Sequence, residues 1–217
     1  MITVYYIRHA ESMGNVNHHL IGGRSNYLPL SSRGESQAHA LGKRLQIENL
    51  QLHHAFSSIA VRAHSTANIV CSYIGFPTEK IHLTEELVEL SQGDWEGEVR
   101  KEKFTDDVML EVRGNPYHFK APNGESQQEV ENRMFRWLEN TVQKLDNDKP
   151  QNLGVFSHGF AIKTLIRRMM NSDPAMTYWT VIHNTSLTCF QFNDGQWMID
   201  RINDYSHLAG SEFIGHY

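Results

Sequence analysis

The chain has 217 residues, with 20 Lys and Arg against 25 Asp and Glu and a formal net charge of −5. That length suits one substantial core, and no Pro/Gly/Ser-rich linker or charge block divides it, so a single domain over 1–217 is expected. Scattered basic residues on an acidic chain argue against a nucleic-acid footprint or a polybasic membrane patch, so any anionic ligand must be held by local cations. No apolar run reaches membrane-spanning length, and Met1-Ile2-Thr3 lacks the charged and apolar regions of a signal peptide. Cys71 and Cys189 each lie in an apolar periodic segment, which fits buried free thiols in a reducing cytoplasm better than a disulfide.

The first apolar run, residues 2–7, has the β-branched and aromatic content of a strand buried on both faces and stops at Arg8-His9. Ligands of open α/β sheets bind beyond the carboxyl ends of strands, so this fixed cation and titratable imidazole are candidate site residues. A polar loop, 14–29, carries Asn15, His18, His19, Gly22, Gly23 and Arg24. Ser32-Arg33-Gly34-Glu35 reads as a capping box with Ser32 as N-cap, opening a helix to about Glu48. Residues 54–57 form a second short strand, and Ser58 leads into a helix with Ala63, Ala67, Val70 and Ile74 on one face. Arg62 falls in the first turn of that helix, which Gly75 and Pro77 end.

A short strand is expected at 81–83, followed by Leu87 to Leu90 and the turn Gln92-Gly93-Asp94-Trp95-Glu96-Gly97. Residues 99–113 read as one charged helix with a thin apolar stripe, and residues 92–125 together as a mobile cap over the sheet. Ser126-Gln127-Gln128-Glu129 is a second capping box, opening a helix with Val130, Met134, Leu138, Val142 and Leu145 on one face, ended by Pro150. Residues 153–156 form another buried strand, followed by Ser157-His158-Gly159 and a helix through Ile162, Ile166 and Met169. Residues 186–192 and 197–202 join through Asn193-Asp194-Gly195 as an antiparallel hairpin, and the tail from Asp204 to Tyr217 has no clear periodicity. This grammar predicts an α/β three-layer sandwich: a largely parallel central sheet with an antiparallel edge hairpin and helices on both faces.

Three strand ends thus each deliver a cation or an imidazole: Arg8 with His9, Arg62, and His158. A parallel sheet would gather them at one edge, where guanidinium forks and helix N-termini suit phosphate oxygens. These residues reach a known family. Arg8-His9-Ala10-Glu11-Ser12 with Asn15, the stretch from Leu30 to Ala38, Ser57-Ser58 with Arg62-Ala63, and Glu89 before Gly93-Asp94-Trp95-Glu96-Gly97 follow one another in its order. With Gly124-Glu125-Ser126, Arg133, Ser157-His158-Gly159 and the stretch 203–208 they resemble the histidine phosphatase superfamily across nearly the whole chain.

The resemblance implies that His9 is a nucleophile forming a phosphohistidine, with Arg8, Arg62 and His158 on the transferring phosphoryl group and Glu89 as proton donor. It also implies phosphate contacts from Asn15 and Gly159. Spacing alone leaves open which of His9 and His158 is the nucleophile. Neighbouring guanidinium charges favour neutral imidazole, and a phosphate dianion beside Glu89 favours a protonated carboxyl. Glu11 reads as an ion-pair partner, Arg33 and Arg133 as structural or rim charges, and Trp95 as packing at the pocket mouth. His18, His19, His53 and His54 lack metal-ligand spacing, so neither a metal nor another cofactor is expected.

The expected activity is a phosphomonoester hydrolase acting on a small phosphorylated metabolite, with oligomeric state left open. A cofactor-dependent phosphoglycerate mutase is the nearest rival, but the mutases carry Glu-Arg-His-Tyr-Gly and a longer insertion where this chain has Glu89-Leu90-Ser91-Gln92-Gly93. A serine hydrolase built on Ser157 would need glycine two residues earlier, where Val155 stands. A non-catalytic phosphate-binding module would have lost the acid or a core cation, and this chain keeps them all.

Overall fold

The computed structural model describes residues 1–145 and 149–210. In chain order the strands are β1 (Ile2–Arg8), β2 (His54–Ser58), β3 (His82–Thr84), β4 (Gln151–Ser157), β5 (Leu187–Asn193) and β6 (Gln196–Asp204). The helices are α1 (Met13–Val16), α2 (Ser32–Ile47), α3 (Val61–Tyr73), α4 (Arg100–Lys103), α5 (Asp106–Gly114), α6 (Gln127–Val142), α7 (Gly159–Met169) and α8 (Met176–Trp179). The strands form one sheet in the order β3-β2-β4-β1-β5-β6. The first four run parallel, and the β5–β6 hairpin adds an antiparallel edge. This is the α/β sandwich that the alternation of elements predicts.

Side-chain alternation along the central strands divides the core in two. Val4 and Tyr6 of β1 and Val155 of β4 pack with Val130, Met134 and Leu138 of α6 and Ile162 and Leu165 of α7. On the opposite face Ile7 and Phe156 pack with Leu41 and Leu45 of α2 and Ala67, Val70 and Cys71 of α3. Cys71 and Cys189 are both buried free thiols.

Several local expectations shift. The N-cap of α2 is Ser31, whose hydroxyl accepts from the Gly34 backbone N–H, and Ser32 is the first helical residue. The third helical position is then Gly34, which has no side chain to reach back, so the capping box expected from Ser32 and Glu35 does not form. The polar loop 14–29 is entered through a helical turn, α1, in which Asn15 Oδ1 accepts from the Ser12 backbone N–H. The charged helix expected over 99–113 is two helices, because Thr105 caps α5 through Val108 N–H and breaks the run after α4. The Ser126–Glu129 capping box is present at α6. That helix ends at Val142, so Leu145 packs on the core from beyond it. Asp194 and Gly195 at the hairpin turn have positive φ, as a two-residue turn requires. Of the tail expected to lack periodicity, Ser206–Leu208 is a 3-10 turn, and residues 211–217 lie outside the described residues.

Candidate active site

Parallel pairing brings the carboxyl ends of β1, β4, β2 and β3 to one edge. Arg8 pairs with Ser157, so the segments carrying His9 and His158 leave the sheet side by side. The β2 end leads through Ser58 and Ala60 into α3 and its first-turn Arg62, and the β3 end leads through a 3-10 turn to Glu89. Arg8, His9, Asn15, Arg62 and Glu89 all line one cavity of about 540 Å3, with Gln92, Arg100 and Phe160 in its wall.

His9 is 4 % exposed. Its Nδ1 lies 2.7 Å from the Ala10 carbonyl oxygen, which can only accept, so the ring proton sits on Nδ1 and Nε2 carries the lone pair. Arg62 Nε–H points at that Nε2 at 3.3 Å. Burial pushes the imidazole well below its ordinary range, and the Arg62 and Arg8 guanidinium groups push it further down. The ring is therefore neutral at pH 7 with its unprotonated nitrogen fixed.

The His158 ring stands 5.1 Å from that of His9, edge to face, and is fully buried. Burial lowers its pKa well below the ordinary value, with Arg62 and His9 adding to the effect. Ser58 Oγ accepts from Ala60 N–H and stands 2.8 Å from His158 Nε2. A serine hydroxyl that donates to Nε2 leaves the His158 proton on Nδ1, a buried atom without a hydrogen-bond partner among the described residues. Arg8 donates to the Ile182 carbonyl and packs over Gly159. A Cβ at Gly159 would stand 3.2 Å from Arg8 Nε, so the missing side chain gives the guanidinium its place.

The anion-ready N-terminus expected at α7 is occupied. Glu89 accepts the Phe160 and Ala161 N–H groups at 3.0 and 3.1 Å and its neighbour Leu90 N–H at 2.9 Å. The expected Arg62 fork is engaged too: Nη1 donates to the Arg24 and Ser25 carbonyls and Nη2 to Gly23. Asn15 Oδ1 takes donors from Ser12, so its amide N–H groups are what it offers the cavity. Arg133 donates to Glu125 and to the Glu86 and Glu89 carbonyls, a structural role that fixes the backbone of the acid. Glu11 pairs with Arg33 at 3.5 Å and accepts from Ser31 Oγ. Trp95 packs edge-on against Phe104 and tilted against Phe119 within the 92–125 segment and does not line the cavity. Ser157 is fully buried and donates to the Leu87 carbonyl, which removes it as a nucleophile.

Two residues beside the site carry no mark in the sequence pattern. Asn184 donates to the His9 carbonyl at 2.8 Å and lines the cavity. Lys163 of α7 feels both Arg8 and Glu89, and burial followed by the Arg8 charge lowers its pKa. Among the described residues no group of three or more His, Cys, Asp or Glu side chains is arranged to hold a metal. No helix there is long and apolar enough to cross a membrane.

The family model of the histidine phosphatase superfamily, branch 1, matches residues 4–205. The chain belongs to that superfamily. A relative from Salmonella choleraesuis named probable phosphoglycerate mutase GpmB is 26% identical, over 96% of this chain and 95% of its own. The uncharacterized phosphatase PhoE of Bacillus subtilis is also 26% identical, over 97% and 98%. The crystal structure of phosphoserine phosphatase from Entamoeba histolytica in complex with 3-phosphoglyceric acid matches with a TM-score of 0.78 and 25% identity, over 96% of this chain and all of that one. Superfamily members with phosphatase and mutase names thus share this fold along nearly its whole length.

Proposed function

We propose that the protein is a metal-independent phosphomonoester hydrolase that works through a phosphohistidine at His9. The observation that carries the reading is the fixed tautomer of His9, whose unprotonated Nε2 faces the Arg62 guanidinium at the cavity floor. In the first step Nε2 attacks phosphorus as the ester P–O bond breaks, and Glu89 delivers a proton to the departing alkoxide oxygen. As phosphorus approaches, Arg62 Nε–H exchanges its hydrogen bond to Nε2 for one to a phosphoryl oxygen. Arg8, the His158 Nδ1–H and the Asn15 amide supply further donors to a transition state that needs positioning and positive charge. In the second step water attacks the phosphohistidine, Glu89 takes its proton, the P–N bond breaks, and phosphate leaves with His9 restored.

Because Arg8 and Arg62 supply positive charge beside His9, the proposed reaction gives a metal no role. A cavity of about 540 Å3 with Arg100 and Gln92 in its wall suits a small metabolite bearing a second polar or anionic group. The relatives' names support phosphorylated three-carbon acids as the first compounds to try. The same chemistry without water access in the second step would be a mutase.

The test is a panel of small phosphomonoesters, assayed for phosphate release and for isomerisation with and without chelator. Phosphate release that survives chelator and vanishes in His9→Ala supports the proposal. Isomerisation without release would favour the mutase, and activity lost to chelator and restored by a divalent ion would overturn metal independence.

A further inference from the structure

The Gly93-Asp94-Trp95-Glu96-Gly97 turn has no part in the chemistry above, yet one of its two acids, Glu96, is bound into the site. Glu96 Oε1 accepts the Arg24 N–H at 3.0 Å and the Gln92 N–H at 3.0 Å, while Oε2 accepts the Ser25 N–H at 3.2 Å. The loop between these donors points its carbonyls the other way. Gly23, Arg24 and Ser25 each accept from Arg62, at 3.1, 3.0 and 3.0 Å. Arg62 in turn presents Nε–H to His9.

The loop is therefore clamped between a carboxylate on its N–H side and a guanidinium on its carbonyl side. The fit is close: a Cβ on Gly23, whose φ is +148, would stand 2.4 Å from Glu96 Oε1. Ser25 is held at a positive φ of 25 inside the clamp, a conformation that persists only when its surroundings fix it. Upstream the two segments are also paired along the backbone, with Ile21 N–H on the Glu98 carbonyl and Gly97 N–H on the Ile21 carbonyl.

We infer that Glu96 is a positioning residue for the reaction: by holding the 23–25 loop it aims the Arg62 guanidinium at His9 and at the phosphoryl group. A guanidinium released from three carbonyls has several rotamers open to it, and its Nε–H leaves the line to Nε2. A misplacement on the order of 1 Å in such a group can cost about 10²-fold in rate. The role rests on the assignment of His9 as phosphoryl acceptor, but its structural half can be tested without turnover.

The experiment compares Glu96→Ala and Glu96→Gln in the full chain. Glutamine keeps an oxygen for Arg24 and Gln92 but turns an amide donor on Ser25 N–H, so it should fall between wild type and alanine. The Arg62 Nε–H resonance, followed by NMR in 15N-arginine-labelled protein, should lose its protection from exchange in Glu96→Ala. Single-turnover phosphorylation by p-nitrophenyl phosphate should slow by about 10²-fold, and the Arg62→Ala/Glu96→Ala pair should be no slower than Arg62→Ala alone.

The acid limb of kcat/KM supplies a sign test. The charged or titratable groups acting on His9 are Arg62, Arg8 and His158. Loss of a fixed Arg62 beside His9 moves that limb to higher pH, whereas mere deletion of a nearby negative charge moves it lower. Rate losses that multiply, an unaltered Arg62 Nε–H, or a limb moved to lower pH would overturn the inference. If Glu96→Ala does not fold, the same measurements on Glu96→Gln decide. If His9→Ala remained active the assignment of His9 as phosphoryl acceptor would fall, while the Arg62 resonance would still report on the clamp.

Discussion

Lowering the pH from 7.5 to 5.5 is expected to destabilise the fold by about 3 kcal/mol through three histidines, two of them in the site. His9 and His158 are 4 % and 0 % exposed, and burial with neighbouring guanidinium charge holds both well below the ordinary imidazole range. In the unfolded chain each titrates near its free value of about 6.5. Below that pH the unfolded state binds more protons than the folded one, so stability falls as pH falls and is fully present above about pH 7.5. One unit below the unfolded value, each such histidine costs roughly 1 kcal/mol. His207, held at about 4 mainly by burial, acts in the same direction. Asp204, held low by its hydrogen bonds from Arg44, stays ionised in both states across this window and adds nothing to the slope. For a chain of this size, about 3 kcal/mol corresponds to a Tm lower by roughly 6–12 °C. Urea unfolding at pH 7.5, 6.5 and 5.5, followed by tryptophan fluorescence, measures the effect. His9→Gln and His158→Gln should each remove roughly 1 kcal/mol of the pH dependence. A midpoint that does not move with pH, or variants that keep the full dependence, would refute a site built on two buried neutral imidazoles.

Replacing Glu89 with glutamine keeps the shape but cannot cycle a proton, and its amide group meets one of the N–H groups at Leu90, Phe160 or Ala161. The phosphorylation burst should slow about 10²–10⁴-fold more for alkyl phosphates than for p-nitrophenyl phosphate, and equal slowing would remove Glu89 as the acid. Gly159→Ala places a methyl group 3.2 Å from Arg8 Nε and 3.4 Å from Cζ. It should lower kcat/KM by about tenfold or more through the displaced guanidinium while thermal melting holds or rises, since alanine is the better helix former. Unchanged kinetics would show that Arg8 is not fixed by that contact.

The sheet was legible because its central strands, β1 and β4, are unbroken apolar runs that read as parallel strands. The candidate site side chains at parallel strand ends, Arg8 and His9, Arg62 and His158, came with them, whereas Glu89 was marked only by the family resemblance. Asn184 was not legible for a topological reason. It precedes β5, which runs antiparallel, so it is the start of that strand that lies at the active edge. Adjacent serines hid the true α2 cap, since Ser31 and Ser32 are equal in propensity and the absent Gly34 side chain settles the geometry. The roles of Glu96 and of the loop carbonyls on Arg62 depend on contacts 37 to 72 residues apart, which no local pattern encodes.

Phosphoryl transfer to His9 Nε2 can be followed by trapping the labelled protein. Protein mixed with a 32P-labelled phosphomonoester, quenched within one turnover and digested under alkaline conditions should carry label on the peptide containing His9. That label should be lost in mild acid, as a phosphoramidate is. Acid-stable label, label on the His158 peptide, or rapid phosphate release with no label on protein would contradict the account.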